Sequence, residues 1–286
     1  NAHVNFCYVL SGSDYVGDNN TNTALKSLSQ GSGRTLVLLH GWGMNSAVFS
    51  EFLPFLTADL EVIRICLPGF GLNSDKLPED YSLDTITALV NESVPEGSVV
   101  AGWSLGGLVA QQLALSYPDK IAGLITLASS PCFISNGCWK GIEPEVLSGF
   151  QRQLARDYEK TLDRFLAIQA MGSASARQDV KTIRQQLGAL PSPAEVALAA
   201  GLSLLETVDL RSMIGRINQP TLRLYGRLDS LVPTSSIDRI HELHPGADTV
   251  VMPHAAHAPF ISHPQQTADI LLNFINNLTR IDRYYS

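Results

Sequence analysis

Short apolar runs recur along the chain, and the intervals between them leave room for helices. The runs fall at residues 35–39, 62–65, 98–101, 124–127, 221–225 and 249–252 and are rich in β-branched residues. A continuous apolar run of this length is typical of a strand that is buried on both faces of a parallel sheet. The pattern therefore predicts six strands in an α/β domain, with a mainly parallel central sheet and helices on both faces.

Between residues 131 and 205 a helical pattern replaces the strand pattern. We predict helices at 145–168, 176–190 and 192–205, the last of them capped by Ser192 with Pro193 at its first position. Ligands of open α/β sheets bind outside the carboxyl ends of the strands, where an insert can cover them. We therefore divide the chain into a core, residues 1–130 and 206–286, and a helical lid insert, residues 131–205.

The segment that precedes the first predicted strand is polar. Among residues 11–33, 16 of 23 positions are Ser, Gly, Asn, Thr or Asp, which favour turns over a packed core. We expect a loop there and assign residues 1–33 as a polar N-terminal arm of the core.

Composition narrows the class of protein. Apolar residues make up 45% of the 286 residues, charged residues 16%, and the net charge is -7. These values argue against a disordered chain and against a general nucleic-acid binder. Apolar runs stay well short of the ~18 residues that a membrane span requires, and the four cysteines form no CxxC pair. We expect a cytoplasmic globular protein without nucleic-acid or membrane partners.

The strongest chemical signal is Gly-Trp-Ser-Leu-Gly-Gly at residues 102–107, between a predicted strand and a helical pattern. In this context a GxSxG sequence predicts a turn too tight for side chains at its glycines, with the serine oxygen at the helix N-terminus. Ser104 is therefore the candidate nucleophile. The alternative is a glycine-rich turn that only packs the helix on the strand.

A serine hydroxyl becomes a good nucleophile only when a base takes its proton. Asp229 and His257 each follow a predicted strand, and both therefore lie at the sheet edge where Ser104 is expected. They complete a Ser-Asp-His triad in the chain order that this fold class uses. Two alternatives stay open: Asp229 as an ordinary turn residue, and His254 as the base in place of His257.

An acyl-transfer site also needs two backbone N–H groups that face the developing oxyanion. Leu105, directly after the nucleophile, can supply one of them. Trp42, in His-Gly-Trp-Gly at residues 40–43 after the first predicted strand, can supply the other. The alternative is that Trp42 and His40 are purely structural.

Taken together, these motifs and Leu-Pro-Gly-Phe-Gly at residues 67–71 resemble the α/β-hydrolase family over about residues 31–275. Longer stretches are similar to one family of these hydrolases, the pimeloyl-acyl-carrier-protein methyl ester esterases of biotin synthesis. Those stretches are residues 102–110, 128–133, 164–167, 177–179, 207–211 and 255–264.

The resemblance implies an α/β-hydrolase fold with a lid, and the serine-esterase chemistry implies no metal or organic cofactor. We expect the protein to be a monomer. The resemblance also implies hydrolysis of the methyl ester of pimeloyl-acyl-carrier protein, with release of methanol, so the partner would be acyl carrier protein. By the same resemblance, the substrate would contact Trp42, Ser104, Leu105, Phe150, Gln151, Arg152, Gln153, Leu154 and His257.

Four basic residues recur every four positions within the helix predicted at 145–168: Arg152, Arg156, Lys160 and Arg164. At about 100° per residue they share one helix face. Such a stripe could dock a small acidic carrier protein, in an interaction that salt weakens. The alternative is a solvated face with internal pairs to Asp157, Glu159 and Asp163.

Two other functions stay open. The same triad could serve a general short-chain carboxylesterase, a thioesterase or a carbon–carbon bond hydrolase, since a fold does not fix the substrate. The chain could also be a non-catalytic ligand-binding α/β-hydrolase, although the complete set of Ser104, Asp229 and His257 argues against it.

Overall fold

A computed structural model describes residues 15–16, 24–169 and 175–282 of the chain. Its strands are β1 Tyr15–Val16, β2 Ser27–Gly31, β3 Arg34–Leu39, β4 Leu60–Ile65, β5 Ser98–Trp103, β6 Ile121–Leu127, β7 Thr221–Gly226 and β8 Asp248–Met252. They form one sheet in the order β1-β2-β4-β3-β5-β6-β7-β8, in which only the β1–β2 and β2–β4 pairs are antiparallel. The predicted strands are confirmed as β3 to β8, and the α/β fold with a mainly parallel sheet is confirmed with them.

The helices of the described residues are α1 Leu83–Ser93, α2 Leu105–Ser116, α3 Pro144–Leu154, α4 Tyr158–Gln169, α5 Ala176–Leu187, α6 Glu195–Thr207, α7 Thr234–Leu243, α8 Pro259–Ser262 and α9 Pro264–Asp282. Helix α2 packs on β5 and β6, and α9 packs on β6. Every residue of β5 and of β7 is buried, so both faces of the sheet are covered at its centre. This double coverage explains the continuous apolar runs.

The parallel strands place the chemistry at one edge of the sheet. Because β3, β5, β7 and β8 run in the same direction, their carboxyl ends meet at that edge. Each of the four strands is followed by one part of the candidate site, in the position where open α/β sheets bind their ligands.

The loop predicted at 11–33 is wrong for part of its length. Residues 27–31 form β2 and pair with β4, and residues 15–16 form β1. Near the edge of a sheet a strand is only partly buried, so polar side chains can be accommodated there. Ser29 Oγ, for example, donates a hydrogen bond to Glu61 Oε1 on β4 at 3.1 Å. Residues 11–14 and 17–23 of this prediction lie outside the described residues.

The single helix predicted at 145–168 is also wrong, because the chain turns between α3 and α4. Helix α3 ends at Leu154 and α4 begins at Tyr158. Asp157 explains the new start, since its Oδ1 accepts a hydrogen bond from the Lys160 N–H at 3.0 Å, as an N-cap residue does. The turn lets α3 and α4 pack against each other.

The helix predicted at 176–190 is confirmed as α5 over most of its length. Helix α6 begins later than the prediction of 192, and its N-cap is Ala194 and not Ser192. The Ala194 N–H donates a hydrogen bond to Gly69 O at 2.8 Å. A contact with the core therefore satisfies one N–H at the start of α6 and holds Ala194 at the position where the helix begins.

Candidate active site

The turn between β5 and α2 holds Ser104 in an unusual backbone conformation. Its φ is 55° and its ψ is -117°, and residues other than glycine rarely adopt a positive φ. Two contacts fix the turn: the Ser104 N–H donates to Leu127 O at 3.0 Å, and Ser129 Oγ donates to Ser104 O at 2.7 Å. A strained strand-to-helix turn of this kind is typical of a nucleophilic serine at the edge of a sheet.

Steric limits explain the two glycines that flank Ser104. A Cβ on Gly102 would lie 2.1 Å from Gly106 O, and a Cβ on Gly106 would lie 2.4 Å from Leu39 O. Neither position can therefore hold a side chain. A turn that only packed a helix would need these glycines too, but it would not require a positive φ at the serine between them. The backbone at Ser104 thus favours the nucleophile interpretation.

Asp229 and His257 form a buried pair at the same sheet edge. His257 Nδ1 lies 2.8 Å from Asp229 Oδ2, and both side chains are 0% exposed. The other carboxylate oxygen, Oδ1, accepts hydrogen bonds from the N–H groups of Leu231 at 2.8 Å and Val232 at 3.0 Å. A carboxylate only accepts hydrogen bonds, so Nδ1 carries the ring proton and the imidazole is held in one orientation.

The second ring nitrogen of His257, Nε2, is buried and has no hydrogen-bond partner among the residues that the structure describes. The ring lies beside the turn that holds Ser104: its centre is 5.9 Å from the ring centre of Trp103, which precedes Ser104, and Trp103 Nε1 donates to His257 O at 2.8 Å. An unprotonated Nε2 is the group that a general base uses. His254, the alternative base, is exposed, and the geometry therefore favours His257.

The loop after β3 passes directly over Ser104, since a Cβ on Gly41 would lie 3.2 Å from Ser104 Cβ. His40 fixes this loop: its Nδ1 donates to Gly41 O at 2.8 Å, and its Nε2 accepts from the Leu67 N–H at 3.0 Å. Complete burial lowers the pKa of His40 to about 4, so its ring is neutral at pH 7. His40 thus joins two loops, which is a structural role.

Trp42 and Leu105, the two candidate oxyanion donors, are buried beside the Ser104 turn. Helix α6 reaches both of them, because a Cβ on Gly201 would lie 2.7 Å from Trp42 Cδ1 and 3.5 Å from Leu105 Cδ2. The structure thus brings Trp42, Leu105 and Ser104 together under one helix of the insert.

An aromatic cluster links the insert to this site. The Phe150 ring on α3 meets the Phe165 ring on α4 edge to face at 5.6 Å, and Phe165 meets Trp42 at 4.7 Å. Phe150 is buried, whereas the other four expected contacts of this segment are exposed or partly buried: Gln151, Arg152, Gln153 and Leu154. The cluster brings Phe150 into contact with Phe165, which itself contacts Trp42.

The expected stripe of four basic residues on one continuous helix is wrong. Arg152 lies in the last turn of α3, Arg156 lies between the helices, and Lys160 and Arg164 lie on α4. The Asp157 cap, which starts a new helix after Arg156, is the physical reason. All four side chains are nevertheless exposed, and we call them the basic surface.

Part of the basic surface has partners within the chain. Lys160 Nζ lies 2.8 Å from Asp157 Oδ2, which is one of the pairs that the alternative interpretation expects. Arg164 Nη1 donates to Gln153 Oε1 at 3.3 Å, and its guanidinium lies 5.3 Å from the centre of the Phe150 ring. Asp163 instead pairs with Arg184 of α5, at 2.5 Å.

Sequence reasoning missed the supporting residues Ser129 and Gly201. Ser129 follows β6 at the edge where the site lies, so its position was a usable signal. Gly201 gave no such signal, because it lies inside a helical pattern and its role depends on how α6 docks on the core.

Three further observations concern only residues 15–16, 24–169 and 175–282. None of their helices is long and apolar enough to span a bilayer. They contain no group of three or more His, Cys, Asp or Glu side chains that could hold a metal ion. Their cysteines, Cys66, Cys132 and Cys138, are free thiols.

Solved structures of other proteins share this fold. The esterase EaEST from Exiguobacterium antarcticum superposes with a TM-score of 0.79, covering 88% of this chain and 96% of its own. MenH from S. aureus superposes with a TM-score of 0.73, covering 88% of this chain and 98% of its own. Both are 20% identical to the chain, a level at which the likeness concerns the fold alone.

Comparisons of sequence are more specific. A family model described as alpha/beta hydrolase fold matches residues 34–264. The pimeloyl-acyl-carrier-protein methyl ester esterase of Aeromonas hydrophila is 51% identical over 246 residues, which are 86% of this chain and 96% of the relative. The pimeloyl-acyl-carrier-protein methyl ester esterase of Photobacterium profundum is 46% identical over 253 residues, which are 88% of this chain and 99% of the relative. The chain belongs to the α/β-hydrolase fold family and, within it, to the family of the pimeloyl-acyl-carrier-protein methyl ester esterases.

Proposed function

We propose that the protein is a serine carboxylesterase that hydrolyses the methyl ester of pimeloyl-acyl-carrier protein, releasing methanol and pimeloyl-acyl-carrier protein for biotin synthesis. The observation that carries the proposal is the buried contact of 2.8 Å between His257 and Asp229, at the sheet edge where the strained turn holds Ser104. The names of the relatives that are 51% and 46% identical supply the substrate.

In the first half of the reaction Ser104 is the nucleophile and His257 the general base. Ser104 Oγ attacks the ester carbonyl carbon while His257 Nε2 takes the hydroxyl proton. The bond from the carbonyl carbon to the methoxy oxygen then breaks, and protonated His257 gives its proton to that oxygen. Methanol leaves, and the pimeloyl group stays as an ester on Ser104.

In the second half a water molecule replaces methanol. His257 takes a proton from the water as its oxygen attacks the acyl carbonyl, and the bond to Ser104 Oγ breaks as the proton passes to that oxygen. Asp229 orients His257 through Nδ1 and stabilises the imidazolium in both halves. The backbone N–H groups of Trp42 and Leu105 stabilise the oxyanion of each tetrahedral intermediate. The reaction as written needs no metal or organic cofactor.

The insert supplies substrate and partner contacts in this proposal. The buried rings of Phe150 and Phe165 beside Trp42 suit the apolar methylene chain of a pimeloyl group. The other proposed substrate contacts of the segment are Gln151, Arg152, Gln153 and Leu154. The basic surface attracts the acidic acyl carrier protein. We also propose that the enzyme is a monomer and that it acts in the cytoplasm.

Complementation tests the proposal. In a biotin auxotroph that lacks this esterase step, we expect the wild-type chain to restore growth without biotin and Ser104→Ala to fail. Purified wild type is compared with Ser104→Ala on p-nitrophenyl butyrate in parallel. Ser104-dependent turnover of this small ester without complementation would instead indicate a general short-chain carboxylesterase or thioesterase. Equal turnover by wild type and Ser104→Ala, or none by either, would contradict the triad mechanism.

A further inference from the structure

We infer that helix α6 positions the oxyanion hole by pressing on Trp42 and Leu105, and that Gly201 is the positioning residue that makes this contact possible. The inference rests on the proposed function, because it assigns a role within the same site. Gly201 does not touch the reacting atoms in this assignment, and it acts only through its two neighbours.

The Trp42 side chain is held by the insert although its backbone belongs to the core. Its indole Nε1 donates a hydrogen bond to Leu198 O on α6 at 2.8 Å. Its ring also meets Phe165 of α4 edge to face at 4.7 Å, and the residue is 0% exposed. Two helices of the insert therefore fix the side chain whose own backbone N–H is a candidate oxyanion donor.

Gly201 lies one turn after Leu198 on the same helix and faces both candidate donors. A Cβ there would lie 2.7 Å from Trp42 Cδ1, 3.2 Å from Trp42 Nε1 and 3.5 Å from Leu105 Cδ2. Glycine inside a helix costs about 1 kcal/mol of stability relative to alanine. The close approach of α6 gives a physical reason for a glycine at this position despite that cost.

The functional consequence follows from the geometry of an oxyanion hole. Two N–H donors stabilise the developing charge only when both lie at hydrogen-bond distance from the oxygen. A misplacement of about 1 Å can cost on the order of 100-fold in rate. Helix α6 contacts the side chains of Trp42 and Leu105 at one point. Its position therefore sets the distance between the backbone N–H groups of these two residues.

The test compares Gly201→Ala with Gly149→Ala. Gly149 lies on α3 of the same insert, and a Cβ there would meet nothing within 4 Å. Both variants replace a helical glycine with alanine, but only Gly201→Ala pushes on Trp42. We expect Gly201→Ala to lower kcat on p-nitrophenyl butyrate by about 10- to 100-fold with little change in KM. We expect Gly149→Ala to retain wild-type kinetics.

Two further measurements separate positioning from a general loss of structure. Butylboronic acid binds a reactive serine as a tetrahedral anion, so its inhibition constant should rise in Gly201→Ala by about the factor by which kcat falls. A smaller folded fraction would lower kcat without changing that constant. Trp42→Phe, which loses the bond to Leu198 but keeps the backbone N–H, should also lower kcat and carries the test if Gly201→Ala does not fold.

Wild-type kcat and inhibition constant in folded Gly201→Ala would overturn the inference. An equal loss in Gly149→Ala, or wild-type kcat in Trp42→Phe, would also overturn it. The proposed function fails by a different result, which is the absence of Ser104-dependent turnover in the wild-type protein.

Discussion

Two ionisable contacts of equal length, one in the core and one in the insert, differ in their surroundings. His257–Asp229 and Lys160–Asp157 both measure 2.8 Å. The core pair is 0% exposed on both sides, whereas the side chains of Lys160 and Asp157 are 77% and 34% exposed. A buried pair leaves an uncompensated polar group when one partner is removed, while water solvates and salt screens an exposed pair. Distance alone therefore says little about what a contact does.

The comparison extends to the regions around the two pairs. Asp229 has both carboxylate oxygens occupied, by His257 and by the N–H groups of Leu231 and Val232, so its position is fixed from three sides. The basic surface keeps its charged groups in contact with solvent. These environments suit different tasks, since chemistry needs a preorganised group and partner recognition needs an accessible one.

The largest expected effect comes from breaking the buried pair. Asp229→Asn keeps the size of the side chain but no longer fixes the His257 tautomer, and we expect kcat on p-nitrophenyl butyrate to fall by about 10⁴-fold. Asp157→Asn makes the same change in the exposed pair and should leave kcat on this ester unaltered. Steady-state kinetics of both variants make the comparison. A loss of less than about 10-fold in Asp229→Asn would mean that His257 does not depend on this carboxylate.

The two regions also differ in how well the sequence predicts them. The strands and the Ser104 turn depend on local requirements, namely apolar runs that must be covered on both faces and glycines that cannot hold a Cβ. Because Asp229 and His257 follow parallel strands, strand prediction alone brought them to the same edge. This is why the arrangement of the candidate site could be predicted while its supporting contacts could not.

The insert was predicted less well, because its helix ends depend on tertiary contacts. The four-residue spacing of the basic residues continues through Asp157, so periodicity alone predicts one helix where the chain forms two. The start of α6 depends on the bond from Ala194 to Gly69 O, which joins distant parts of the sequence. In the same way, β2 was missed because its strand pairing, and not its composition, makes it part of the sheet.

The second prediction concerns how the free energy of unfolding depends on pH, and it compares a buried histidine with an exposed one. Burial lowers the pKa of His40 from 6.5 to about 4. Below pH 6.5 the unfolded chain therefore binds a proton that the folded protein does not, and the free energy of unfolding falls as the pH drops towards 4. Between pH 7.5 and pH 5 the contribution of His40 should fall by about 2 kcal/mol. Urea unfolding at the two pH values measures this change.

His40→Gln should lose that part of the pH dependence, whereas His254→Gln, a substitution at an exposed site, should keep all of it. The pKa of His244 is also lowered to about 4, through burial and the nearby Arg223. His244 is present in the wild type and in both variants, so its contribution to the pH dependence of the free energy of unfolding cancels when they are compared. An unchanged pH dependence in His40→Gln would contradict the assignment of a neutral, buried His40.

The smallest effect is expected from substitutions in the basic surface of the insert. Arg156→Glu combined with Lys160→Glu should lower kcat/KM on the carrier-bound methyl ester by about 10-fold at low salt, because docking of an acidic partner loses its attraction. Turnover of p-nitrophenyl butyrate should not change, since that ester needs no docking. The difference between wild type and the double variant should shrink as salt is added, because the charges at this surface are screened.

A matched control separates docking from net charge. Arg216→Glu combined with Arg239→Glu makes the same change in charge at two exposed positions of the core. If the basic surface docks the carrier protein, this control loses much less on the carrier-bound ester than the insert variant does. Equal losses in the two double variants would mean that overall charge governs association. Equal losses on both substrates would mean that the insert substitutions disturb the candidate active site itself. The proposal that the core carries the chemistry and the basic surface binds the carrier protein would then be wrong.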